Sequence, residues 1–284
     1  MRKFWITLGA VLIVIAGQNA FGTTVDLVNN TSGTLNGAAY VRSSLQPTGS
    51  GVLDSFVRIN PGGTQEFEQG YNTDFRPLQY DENTSKTFTH SLLLSDVRTV
   101  AFGGFGNVCT AGCKEFVLDI NQTKSDPLLT LNRVVISLRA AGDLDSATVA
   151  AGARLTTAAS LFPEADFIAY DSGAGNKVQL DYSLESGSGS GDMFLFIPLS
   201  AFAGRSASQT YVYLYSEFGA LATDTACPDS GATATQLQTC YANANDGYEE
   251  WATVAPEPTS ILLLGVSIVG IAAARRRFGK SRMN

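Results

Sequence analysis

Tyr211-Val212-Tyr213-Leu214-Tyr215 alternates without a break, tyrosine on one side and aliphatic on the other. A period of two suits a pleated strand and no helix. The same short alternation recurs along the chain. Phe116, Leu118 and Ile120 fall on one face, with Asp119 and Asn121 on the other. Val178, Leu180, Tyr182 and Leu184 share a face opposite Lys177, Gln179, Asp181 and Ser183. Leu53–Ile59 stops at Asn60-Pro61-Gly62-Gly63, and Gln65–Glu68 is expected to return beside it as a hairpin partner. Met193–Ile197 reads as a strand buried on both faces and ended by Pro198, and Leu128–Leu138 as a longer strand. Asn245-Asp246-Gly247 reads as a tight turn before a last strand, Tyr248–Val254. Only Asp143–Leu161, rich in Ala and Thr, is expected to contribute a short helix. The expected fold class is mostly β, an antiparallel β-sandwich or jelly-roll-like body over residues 23–255. The Gly- and Cys-rich stretch Gly103–Cys113 is the candidate internal boundary, and Ser186–Gly191 a Gly/Ser loop.

The ends differ from the body. Arg2 and Lys3 precede the apolar run Phe4–Gly17 and then Ala20-Phe21-Gly22, the pattern of a signal peptide cleaved after Gly22. At the other end Pro256-Glu257-Pro258 leads into an apolar run, Ile261–Ala274, and then Arg275-Arg276-Arg277. Those 14 residues reach about 21 Å as a helix against a hydrocarbon core of about 30 Å, so segment 259–274 suits a transient membrane stay better than a permanent one. The arginines would hold the tail on the cytoplasmic side, leaving everything before Pro256 across the inner membrane. The body would thus be flanked by a signal-peptide helix and a short transmembrane helix.

Four cysteines in an exported chain read as disulfides rather than as a zinc site, whose usual C-x2-C spacing is absent. Three pairings exist, of which the local ones, Cys109–Cys113 and Cys227–Cys240, close the smallest loops. Charge narrows the partners. Between Gly22 and Pro258 stand 12 basic and 26 acidic side chains, a net charge of −14. Such a surface repels nucleic acid and attracts divalent cations.

Pro256-Glu257-Pro258, the short apolar run and the arginine cluster, in that order, resemble the PEP-CTERM sorting signal of Gram-negative bacteria. The resemblance implies recognition by exosortase, a membrane protease or transpeptidase that removes the tail, and export by a system associated with exopolysaccharide and biofilm. It implies a membrane-anchored precursor, then a cell-surface or extracellular product, with exosortase and the secretion machinery as partners. Four pieces of the body are also similar to stretches in a group of exosortase substrates. They are Leu118-Asp119-Ile120-Asn121, Ser188-Gly189-Ser190-Gly191-Asp192-Met193, Tyr211–Tyr215 and Asp246-Gly247-Tyr248-Glu249-Glu250-Trp251. That similarity implies a localisation and no mechanism.

Catalytic sets are sparse. The single histidine, His90, sits in an expected strand, and Ser188 and Ser190 lie in a glycine-rich loop rather than on a strained elbow. Glu249 and Glu250 beside Trp251 suggest a glycosidase pair, but neighbours on a strand point to opposite faces. Asp246, Asp181 or Asp192 would have to complete either one. Tyr211, Tyr213, Tyr215 and Trp251 are the candidate sugar-stacking residues. Asp119, Asn121 and Asp126 are the candidate calcium ligands, although Lys124 and Thr130 break the EF-hand pattern. The function expected is therefore an exported, non-enzymatic surface or matrix protein with no required cofactor. The alternatives are a carbohydrate-binding module holding the protein to polysaccharide, or a glycan hydrolase.

Overall fold

The structure is a computed structural model, and the residues described are 22–43, 53–60, 62, 65–145, 152–161, 166–184 and 191–254. The expected signal segment before Gly22, most of the Ser186–Gly191 loop, and the tail with Pro256, Glu257, Pro258 and Arg275-Arg276-Arg277 lie outside them. In chain order the strands begin with β1 (Thr24–Asp26), β2 (Ser32–Leu35), β3 (Ala38–Arg42), β4 (Leu53–Ile59) and β5 (Phe67–Tyr71). They continue with β6 (Leu92–Leu93), β7 (Thr99–Val100), β8 (Cys113–Asp119), β9 (Leu128–Arg139) and β10 (Phe167–Asp171). The last four are β11 (Lys177–Asp181), β12 (Met193–Pro198), β13 (Tyr211–Gly219) and β14 (Glu249–Val254). Two short helices, α1 (Ala158–Leu161) and α2 (Ala234–Thr239), interrupt them.

The strands form two sheets. One runs β1-β11-β9-β13-β5 with β10 on β9 and β6 on β13; the other runs β2-β3-β12-β8-β14-β4 with β7 on β8. The pairings are antiparallel except that β1 lies parallel to β11, so the first sheet is mixed. Between the sheets, Phe56, Phe116, Leu118 and Trp251 of the second meet Leu129, Ile136, Leu214 and Phe218 of the first in one apolar core. Burying such side chains contributes about 1.5–3 kcal/mol each, the main force holding the layers together.

The outer faces are covered too, which is why eleven of the twelve residues of β9 are buried. Leu144, Leu155 and Leu161 cover Tyr71, Val135, Tyr213 and Tyr215 on the outside of the first sheet. At its other end, α2 and its disulfide loop bring Leu237 and Cys240 onto Leu128. On the outside of the second sheet, Phe102 and Phe105 pack on Phe196 beside the Cys109–Cys113 loop. Both local disulfides are present, with Cα atoms 5.1 Å apart in Cys109–Cys113 and 4.8 Å apart in Cys227–Cys240.

Four expectations need correction. Gln65–Glu68 does not return beside β4: β5 crosses to the other sheet and pairs with β13. The stretch 103–113 is not a boundary, because strands from both sides of it alternate in both sheets. Of Asp143–Leu161, only α1 and no longer segment is helical among the described residues. Finally, β11 ends at Asp181, and Tyr182–Leu184 forms a 3-10 turn that leaves Leu184 exposed. On the opposite face of β11, Lys177 and Gln179 are buried with their tips engaged, Cys240 O taking Lys177 Nζ at 2.5 Å and Gln179 Nε2 at 3.0 Å. Among the described residues, no helix is long and apolar enough to cross a membrane.

Candidate functional site

The two sheets bring together one pair of acids that the chain keeps 181 positions apart, Glu68 and Glu249. Glu68 stands on β5 opposite Phe218, and Glu249 on β14 opposite Ile59; both neighbours belong to the inner core. Each carboxyl therefore points inward from its own sheet, at one end of the two layers, and each residue is 1% exposed. The two are hydrogen-bonded to each other. Gln122 Nε2 donates to Glu249 Oε1 at 2.9 Å, and Asn245 N donates to Gln122 Oε1 at 3.2 Å. Asn245 is held in turn: Thr123 N donates to its Oδ1 at 2.8 Å, and its Nδ2 donates to Asp126 O at 2.7 Å. Gly247, at φ +66°, completes this turn where a Cβ would lie 1.9 Å from Asn121 Nδ2.

Above Glu68 opens a polar cavity of about 160 Å³, walled by Asn60, Gln65, Asn245 and Asp246. Glu68 is among its lining residues, while its Oε1 is closed off from solvent. Burial, then the neighbouring Glu249 and Asp81, pushes the Glu68 carboxyl well above the usual range. Burial also pushes Glu249 up to about 7, against the hydrogen bonds from Glu68 and Gln122 that favour its charge. The two carboxyls thus titrate as one pair, with burial raising the proton affinity of both.

The residues singled out from the sequence are distributed differently. Tyr213 and Tyr215 are fully buried, so they present no stacking face. Tyr213 Oη donates to Ala141 O at 2.7 Å and accepts from Leu144 N at 3.1 Å. Tyr215 Oη donates to Glu217 Oε1 at 2.9 Å. Tyr211 is half-buried against the same cluster. Trp251 is fully buried in the inner core, its Nε1 donating to Ser216 Oγ at 3.0 Å. The tyrosine rings are hidden because Leu144, Leu155 and Leu161 pack over them, a tertiary contact that alternation cannot announce. The open sugar-binding ladder is therefore corrected to a structural one.

Glu250 does not join Glu249; it pairs with Arg58 at 2.5 Å across β4. Asp192 Oδ2 accepts from Ile120 N at 2.8 Å and, with Asp181 and Arg42, lines a separate crevice. Asp246 walls the cavity above Glu68. Both ring nitrogens of His90 face carbonyl oxygens, Ser91 O at 2.8 Å and Ser55 O at 3.0 Å, in a loop and not a strand. Asp119 ends β8 and is buried, Asn121 lies against Gly247, and Asp126 stands near Glu66 and Asp229. Among the described residues, no three His, Cys, Asp or Glu side chains converge on a metal-sized point. The role of Glu68 was missed, since it lay in a short expected hairpin with no chemical neighbour in sequence.

The last residue of β14, Val254, is paired with Leu53, and residues 254–277 match the PEP-CTERM protein-sorting motif. Neither a curated protein nor a solved structure matches the chain. The sorting motif thus begins on the last residue of a strand lying between β8 and β4, and the chain is a PEP-CTERM motif-bearing protein, its motif the kind that marks a protein for exosortase-dependent sorting.

Proposed function

We propose that the protein is a non-enzymatic component of the cell surface or extracellular matrix, delivered with the exopolysaccharide-associated sorting system. The observation that carries the reading is the direct join between β14 and the sorting motif, which makes the two-sheet body the cargo of that motif. The strongly acidic body supports it, since like-charged surfaces stay apart and soluble in a polysaccharide phase. The occupation of His90 by two backbone carbonyls and of the tyrosines by structural hydrogen bonds supports it as well. A glycan-hydrolase reading would need two carboxyls about 5–9.5 Å apart facing a sugar. Glu68 and Glu249 instead bond to each other in the interior.

An exosortase-deletion strain tests the proposal. The full-length form is expected to accumulate in the membrane fraction, with loss of the protein from the matrix. Unchanged size and location in that strain defeat the sorting part. Turnover of matrix polysaccharide by the purified protein defeats the non-enzymatic part.

A further inference from the structure

We infer that the cavity beside Lys114 and Arg205, at one end of the two sheets, is a binding site for a carboxylated sugar, a hexuronate residue of an acidic polysaccharide. The inference deepens the matrix reading above and rests on it for polysaccharide as the source of the sugar.

The position of Lys114 is the first observation. On β8 it shares a face with Phe116 and Leu118, and it stands opposite Ile197 of β12; all three neighbours belong to the inner core. A lysine in such a row lays its stem along apolar side chains and carries its ammonium to the open end of the layers. A cavity of about 420 Å³ opens there, within the range of small-ligand sites. Buried Leu94 and Phe202 give its wall apolar surface, Ser95 and Thr210 give it hydroxyls, and Lys114 and Arg205 give it charge. Backbone bonds hold the frame: Leu94 N donates to Thr210 O at 2.8 Å, and Leu199 N to Gly112 O at 2.9 Å.

The sign of the charge is the second observation. The body has 12 basic side chains against 26 acidic ones, yet no acid stands among the described residues that line this cavity. Lys114 Nζ gives one of its three donors to Val97 O at 2.8 Å. Arg205 is exposed and joins none of the ion pairs among the described residues. Burial, then the charge of Arg205, lowers the proton affinity of Lys114, with Asp96 acting the other way. Two cations beside one cavity favour an anion there, while the acidic surface elsewhere repels it, so binding is confined to this place.

The wall selects the kind of anion. A bare inorganic ion leaves Leu94 and Phe202 uncovered. A hexuronate offers one carboxylate to the planar fork of Arg205 and to Lys114, and a face of C–H groups to the apolar side chains. Ser95 Oγ donates to Asp96 Oδ1 at 3.1 Å, which leaves its oxygen to accept from a sugar hydroxyl.

Glucuronate is the probe, followed by ligand-observed NMR on the purified full-length protein at constant ionic strength. Saturable binding is expected with a Kd of about 1 mM. Glucose, the same ring without the carboxylate, is expected to bind at least about tenfold more weakly, and equimolar sulfate to leave glucuronate bound. Arg205→Gln is expected to weaken binding at least about fivefold with Tm unchanged, since the side chain is exposed. Lys124→Gln removes the same charge beyond the opposite end of β8 and is expected to leave Kd within about twofold.

Absence of saturable binding to the unsubstituted protein overturns the inference. Equal binding of glucose removes the carboxylate from it, and ready displacement by sulfate reduces the cavity to a simple anion pocket; either result overturns the assignment. Unchanged affinity in Arg205→Gln, or an equal loss in Lys124→Gln, overturns the site. None of these outcomes depends on the exosortase-deletion strain, so the site and the delivery reading fail separately.

Discussion

The buried tyrosines and Trp251 do their work by being closed off from water with their polar tips engaged. Tyr213 is the clearest test. Its hydroxyl serves Ala141 O and Leu144 N, both from the segment lying over the first sheet. Tyr213→Phe keeps the ring but strands those groups, and is expected to lower stability by about 1–3 kcal/mol in a urea titration. If Tyr213 were a sugar platform instead, stability would hold and polysaccharide retention would fall. Trp251→Ala is expected to cost about 3–5 kcal/mol, since it empties the centre of the core and leaves Ser216 Oγ without its donor. Gly219 shows the backbone counterpart. It sits at φ +85°, and a Cβ there would lie 1.9 Å from Glu66 O. Gly219→Ala is expected to lose about 3 kcal/mol and to loosen the β5–β13 pairing, read as faster amide exchange across Phe67–Tyr71. None of these roles is visible in an alternating string of letters, where a buried tyrosine and an exposed one look alike.

Elements were legible to the extent that their sequence carried a period or a stop. Leu53–Ile59, Met193–Ile197 and Tyr211–Tyr215 are strands as read, the second ended by its proline. The helix α2 was missed, although Thr233-Ala234-Thr235-Gln236 is a capping box. Gln236 N donates to Thr233 Oγ1 at 3.3 Å, and Thr233 N to Gln236 Oε1 at 2.8 Å. That signal is local in the sequence, but it stands alone in a loop otherwise marked by Gly and Ser. That loop is closed by Cys227–Cys240, 13 residues apart, and covers Leu128 with Leu237. Replacing both cysteines by Ala is expected to cost about 3 kcal/mol, seen as a lower Tm under non-reducing conditions. The change is also expected to open Lys177 and Gln179 to solvent, because their carbonyl partner Cys240 O moves with the loop.

For the molecule as a whole, the acids buried between and on the sheets set an unusual dependence on pH. Glu249 and Glu82 are both pushed up to about 7, in each case first by burial. An unfolded glutamate ionises near its ordinary value of about 4.3, so between there and pH 7 the folded state binds more protons than the unfolded one. Stability is therefore full below about pH 4.3 as far as these two groups are concerned, and is lost as pH rises through 7. In EDTA, Tm is expected to fall between pH 5 and pH 8, and a rise over that window would refute the assignment of both groups. By itself the sequence determined the mostly-β class and the sorting segment, and favoured the local disulfides among three pairings. Each of these rests on neighbours in the chain: a period of two, a short loop between cysteines, or an ordered run of Pro-Glu-Pro, apolar and basic residues. Only the tertiary structure decided that β5 leaves β4 for the other sheet, that the tyrosines are covered, and that Glu249 meets Glu68 rather than Glu250. Those outcomes depend on which faces two layers and their covering loops bury against each other, and contacts across 181 positions leave no mark on local pattern.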